Sequence, residues 1–183
     1  MIEQTVNDLT MIIGTRPACR ALGSERGTAR LGWSERGGGN AAVVDADAAD
    51  AVEVPVERID DLALPPRVSF MKVDVEGFEF EVLRGARALI ARDRPSIFGE
   101  FNAAWLRMRG VDLAAELTWI VALGYDVLEV QEHRSARWRP KDVAHLRRRE
   151  PPFTSAGEHL LLLPRPLPAA ARATTVGGTT PSA

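Results

Sequence analysis

The strongest constraint on this chain is the passage from Val68 to Ile90, VSFMKVDVEGFEFEVLRGARALI, where one residue period replaces another within a few positions. Val68 to Val75 is an apolar run of strand length, interrupted by Ser69 and Lys72. Near-continuous apolarity of this kind predicts a strand covered on both faces. Phe78, Val82, Leu83, Ala86, Leu89 and Ile90 then recur at helical spacing and share one stripe, while Glu79, Glu81, Arg84 and Arg87 fall mostly elsewhere. A strand that hands over directly to a packing helix is the elementary unit of a layered α/β domain. Gly77 is the expected hinge, and the acids Asp74 and Glu76 stand at the junction.

The unit repeats downstream. Pro95 to Phe101 reads as a second strand, and Leu113 to Leu123 as a second helix stopped by Gly124, a favoured residue just past a helix end. Tyr125 to Val130 and His159 to Leu163 read as a third and a fourth strand. This alternation predicts an α/β sheet, mostly parallel with right-handed crossovers, whose last two strands form an antiparallel C-terminal hairpin across a long basic insertion. Upstream, Glu3 to Leu9 suits a short helix, Ala18 to Leu22 a small buried strand, and Thr28 to Trp33 and Val52 to Ile59 two exposed strands flanking a glycine-rich loop. One domain is expected over 1–164. The tail 165–183 has too little bulky apolar surface to fold and is expected to be disordered.

Composition removes several classes of function. A net charge of -2 provides no overall field to draw nucleic acid or an anionic membrane. Cys19 is the only cysteine, so an internal disulfide and a cysteine metal cluster are excluded. The first residues, MIEQTVNDLTMII, are acidic early with a short apolar run, unlike a signal peptide or a membrane span, and the cytoplasm is the expected compartment. His133, His145 and His159 are scattered without ligand spacing, so no metal site is expected. The glycines 37–39 lack the context of a phosphate cradle, and DADAAD at 45–50 lacks the glycine and distal glutamate of a calcium loop. The insertion RWRPKDVAHLRRRE is either a solvated face or a contact for an anionic or sugar acceptor on which Trp138 stacks. Trp105 and Trp119 fall in or near helices and are expected in the core.

In open α/β sheets ligands bind outside the carboxyl ends of the strands, where Asp74 and Glu76, and on the neighbouring strand Glu100 and Asn102, are expected to project. Two readings of the first pair stand side by side. In one, Asp74 caps the helix and Glu76 sits in its first turn, where exposed N–H groups favour negative charge by roughly 0.3–1 kcal/mol. In the other, the acids work on a bound substrate.

The run VSFMKVDVEGFEFEVLRGARALI, followed by PSIFGEF, LGYDVLEV and HLLLLP and preceded by VERIDDL, resembles the C-terminal half of the FkbM-type methyltransferases. The hallmark of that family is a KxDVEGxExxVLxGA-like stretch, and the resemblance covers roughly residues 18–164. It implies a Rossmann-like class I methyltransferase sheet and transfer of a methyl group from S-adenosylmethionine to a small-molecule acceptor, a hydroxyl on a sugar or natural product. It further implies catalytic roles for Asp74, Glu76 and Glu100, with Asp74 first, and cofactor contacts from Asp74 and, around the adenine, from Ala21 and Leu22.

Members of the family carry a first strand with a D-x-G-A-x-x-G turn and a second strand ending in an acid for the ribose. Neither stands before Ala18 in this sequence, where Gly14 is isolated. The expectation is an incomplete sheet without its first two strands, in which Ala18 to Leu22 is separated from the rest and the strand carrying Asp74 keeps an unpaired edge. Tight binding of the cofactor by residues 1–183 alone is not expected. Completion by a partner chain or a homo-oligomer, and a non-catalytic remnant or interaction module that keeps the scaffold, are the accompanying alternatives.

Overall fold

A computed structural model describes residues 20–33, 41–43, 51–131, 145–153 and 159–167. The expected helix Glu3 to Leu9, the glycines 37–39, the acidic run 45–50, Cys19, His133, Trp138 and the tail beyond Leu167 lie outside the described residues. Among these residues nine strands form two sheets. The first contains β1 (Ala21–Leu22), β2 (Gly27–Trp33), β3 (Ala41–Val43) and β4 (Val52–Glu57) in the order β1-β4-β2-β3. The second contains β5 (Phe70–Val73), β6 (Ser96–Glu100), β7 (Tyr125–Gln131), β8 (His145–Arg149) and β9 (His159–Pro164) in the order β5-β6-β9-β7-β8.

The strands expected at Thr28 to Trp33 and Val52 to Ile59 pair antiparallel as β2 and β4, and β1 runs parallel to β4. The second sheet corrects the expectation of a mostly parallel arrangement. Only β5 and β6 run parallel, and the β6–β9, β9–β7 and β7–β8 pairs are all antiparallel. A parallel pair needs a crossover, and the helices after β5 supply that one. The chain then returns through β9 between β6 and β7, which reverses the direction at each remaining step. The predicted hairpin of β7 with β9 is present, and β8, inside the basic insertion, adds a further strand on its outer side.

Among the described residues four helices accompany the sheets: α1 (Glu79–Gly85), α2 (Arg87–Asp93), α3 (Ala103–Met108) and α4 (Leu113–Ala122). The stripe from Phe78 to Ile90 is thus split at Ala86. The cause lies in the 3₁₀ turn Ile59–Asp61, where the Asp60 carboxylate accepts from the N–H groups of Ala88 and Leu89, both at 2.9 Å, and restarts the helix as a remote cap. Asp112 caps α4 in the usual manner, accepting from Ala114 and Ala115. None of these helices is long and apolar enough to cross a membrane.

The core lies on one face of the second sheet. Met71, Val73, Ile97, Val127, Leu160 and Leu162 are buried against Phe80, Leu83, Leu89, Leu106, Leu117 and Ile120 of the helices. The strand alternation sends Phe70, Lys72, Phe98, Leu128 and Leu161 to the opposite face, where none is buried and Phe70 is 57% exposed. β5 is therefore covered on one face among the described residues, which corrects the reading of its apolar run as doubly covered. Among the same residues β5 has one strand neighbour, β6, and β1 stands in the other sheet beside β4.

The two sheets are joined where α1 touches the end of β1. A Cβ built on Gly85 would lie 2.0 Å from the Gly23 carbonyl oxygen and 3.5 Å from the Arg58 Cα. Ser24 also hydrogen-bonds Glu81 on the same helix. Alanine normally gains about 1 kcal/mol over glycine inside a helix, but here the obstacle is backbone and cannot rotate away. Gly85→Ala is expected to lower stability by about 2–3 kcal/mol in urea unfolding; a neutral or stabilising result would show that β1 does not lie against α1.

Candidate functional site

The register of β5 with β6 runs Phe70 with Ser96 through Val73 with Gly99, so its continuation sets Asp74 beside Glu100 at the carboxyl ends of the two parallel strands. Glu100 in turn faces His159 across β9. Two site residues expected from sequence, Asp74 and Glu100, thus share one rim, and Glu76 follows in the turn after β5. Asp74 is exposed and its Oδ2 accepts from Lys72 Nζ at 3.0 Å. The His159 Nε2 lies 3.6 Å from Glu100 Oε2, and its ring stacks on Phe98 with centroids 6.1 Å apart and planes 7° from parallel. The stacked pair and the two acids line the sheet face that the helices leave open. Ala21 and Leu22 sit apart from this rim, in β1 of the first sheet, opposite Val56 and Glu57.

The capping interpretation of Asp74 does not describe this turn. Helix α1 begins at Glu79 with Phe78 in the cap position and no side-chain cap, so Asp74 is not its N-cap and Glu76 precedes its first turn. The reason is that the turn consumes two left-handed residues, Glu76 at φ 49° and Gly77 at φ 92°. Gly77 has no alternative: besides its φ, an added Cβ would lie 3.0 Å from Trp105 Cβ and 3.0 Å from Arg109 Nε. Glu76 is a side chain held where glycine is preferred, and such strain concentrates at functional positions. Asn102, expected to project at the rim, instead uses its Oδ1 to cap α3, accepting from Ala104 and Trp105 at 2.9 and 3.3 Å.

Sequence reasoning assigned Glu79 to the polar side of the helix, and the structure corrects this. Glu79 is fully buried, with its Oε1 accepting the Gly77 N–H at 2.9 Å and its Oε2 without a partner among the described residues. Burial pushes its carboxyl above the usual range; the backbone groups of Gly77, Glu79 and Val75 draw it partly back, and the Glu76 carboxylate adds to the rise. The signal was present in the sequence only as Glu79 lying next to Phe78 and Phe80. His159 was weighed only as a metal ligand, because its partner Glu100 lies 59 positions away and meets it through strand pairing. Arg109 closes the outer side of the turn, with its guanidinium carbon 4.0 Å from the Phe78 ring centre and its Nη2 donating to the Val43 carbonyl at 3.0 Å.

A family model for the methyltransferase FkbM domain matches residues 5–127, about two thirds of the chain, and the chain belongs to that family. No curated protein and no solved structure matched the chain.

Two expectations follow from the turn. Because the folded Glu79 binds its proton more tightly than the unfolded chain, stability falls as pH rises from about 4.5 through the raised folded value and then levels off. Asp93, held down to about 2 chiefly by Arg92, titrates below this window. Unfolding free energy measured across this range should lose that part of its slope in Glu79→Gln; an identical profile would mean that the carboxyl is not buried. Glu76→Gly should leave the melting point unchanged or raise it, by up to about 1 kcal/mol in stability. A clear drop would show that Glu76 stabilises the turn instead of straining it.

Proposed function

We propose that this member of the FkbM methyltransferase family serves transfer of a methyl group from S-adenosylmethionine to the hydroxyl oxygen of a sugar or natural product. The observation that supports this reading best is the parallel register of β5 with β6, whose continuation past Val73 and Gly99 brings Asp74 and Glu100 to the carboxyl ends of the two strands, the place where open α/β sheets receive ligands, in a chain of this family. Asp74, Glu76 and Glu100 are proposed as the catalytic acids.

The donor set fits the cofactor in part. Carboxylates on an exposed rim suit the α-ammonium and sulfonium groups of its methionine end. The described residues contain no glycine turn through which a nucleoside could approach the backbone, and Ala21 and Leu22 at the end of β1 are proposed only as lining for the adenine. When bound, the cofactor supplies an electrophilic methyl group. The chain's own part is orientation and proton acceptance. Asp74, steadied by Lys72, holds the acceptor hydroxyl in line, and Glu100 with His159 receives the proton that the oxygen loses as its new bond to carbon forms. Phe98 and His159 offer a flat ring surface on which a sugar face can lie.

In the same reading, a further strand along the edge of β5 away from β6, which has no strand neighbour among the described residues, comes from a partner chain or a second copy and completes the sheet and its nucleoside side. The single cysteine and modest charge favour the cytoplasm and give nucleic acid no role. A second reading, a scaffold that serves as an interaction module without cofactor, is favoured by one observation, the exposure of Phe70 on the uncovered sheet face.

Amide NMR of the full chain with S-adenosylhomocysteine at millimolar concentration separates the two. Shifts confined to residues 73–77 and 99–102 are expected, with affinity weaker than micromolar. In Asp74→Asn those shifts should disappear while the melting temperature moves by less than about 2 °C, since an exposed ion pair contributes roughly 0–1 kcal/mol. No shift at the rim of the unaltered protein would favour the scaffold reading.

A further inference from the structure

Glu79 carries more than the stability of α1 requires. An acid in the first turn of a helix normally serves the exposed N–H groups from the surface, where its charge keeps its water. Here the carboxylate is fully buried, which is costly for a charged group, and one of its oxygens has no partner among the described residues. The other oxygen accepts from the N–H of Gly77, the second of two consecutive left-handed residues. Such a pair cannot continue a strand or begin a helix. Besides Glu79, the turn is closed by the Phe78 N–H donating to the Val75 carbonyl at 3.3 Å, a long bond.

From the other side the turn is pressed by α3. Trp105 Cβ and Arg109 Nε stand where a side chain at Gly77 would be, and the Arg109 guanidinium covers Phe78. The backbone of Glu76 and Gly77 is therefore held between a buried acceptor beneath and the end of α3 above. The direction in which Asp74 and Glu76 leave β5 depends on that clamp, because only Val75 separates Asp74 from the two strained residues.

We propose that Glu79 is a positioning residue: its buried carboxyl fixes the left-handed turn at Glu76 and Gly77 and thereby aims the acids of the rim. This rests on the reading of the rim as the methyl-transfer site, but the clamp itself can be tested without any cofactor. A glutamine keeps the acceptor oxygen at the same reach. Alanine removes it, and aspartate is one methylene too short.

The test is amide hydrogen exchange by NMR on the full chain. In Glu79→Ala the Gly77 amide is expected to exchange at least about tenfold faster, while the amides of Leu160 and Leu162 in the core sheet stay within about twofold of the unaltered protein. Glu79→Gln should restore Gly77 protection. Should Glu79→Ala fail to fold, Glu79→Asp with Glu79→Gln decides the matter in the same way, with protection lost in the first and kept in the second. Unchanged Gly77 exchange in the shortened variants, or faster exchange in Glu79→Gln, would overturn the proposal. The rim shifts caused by S-adenosylhomocysteine should follow Gly77 protection across the variants. If the unaltered protein shows no such shifts while Gly77 behaves as expected, the methyl-transfer reading fails and the clamp stands.

Discussion

A carboxyl group is stable inside a protein core only where a hydrogen-bond donor or a charge partner meets it, and for Glu79, the buried acid among the described residues, that donor is the Gly77 N–H. The left-handed turn takes its shape from that bond together with the pressure of α3. The turn in turn determines where β5 ends and α1 begins, and so which residues stand free at the rim. Had α1 begun one turn earlier, Asp74 would have been spent as a cap. Because it begins at Glu79, Asp74 is left with Lys72 as its ion-pair partner among the described residues and is open to solvent.

The parts of the fold that were legible in the sequence are those controlled by local periodicity. The strand run ending at Val75, the stripe from Phe78 to Ile90, the strand around Ile97 to Glu100 and the helix from Leu113 all carry their period in contiguous residues, and each has its counterpart in the structure. What escaped was controlled from a distance. The break at Ala86 is imposed by Asp60, more than twenty positions upstream, and nothing within the helix announces it. β8 lies in an arginine run whose composition suits solvent, and it becomes a strand because β7 offers it an edge. Phe70 was misjudged for a related reason: the apolar run shows that one face of β5 needs cover, but not that both do.

The same division holds at the rim. Asp74 and Glu100 could be placed at neighbouring strand ends because parallel strands bring their carboxyl ends to one side whatever the loop lengths. His159 could not, since an antiparallel neighbour brings its first residue to the rim, and that direction of pairing departed from the mostly parallel expectation. Asn102 shows the converse error. Its position at the end of β6 was legible, but the two N–H groups of α3 that claim its oxygen become visible only once a helix is known to start there.

The acids of the rim and the open face of the sheet are parts of one surface. Phe70, Lys72 and Asp74 alternate with the buried Met71 and Val73 along a single strand, and Phe98 and Glu100 repeat the arrangement beside them. In the proposed site, a ligand on Asp74 and Glu100 borders aromatic surface on its inner side, and anything that covers Phe70 comes within four residues of Asp74. The chemistry available at the rim depends on how dry that border is, because a carboxylate beside an apolar surface interacts more strongly with charge than one in open water. Cover of the sheet face and the strength of the site are thus set by the same few side chains.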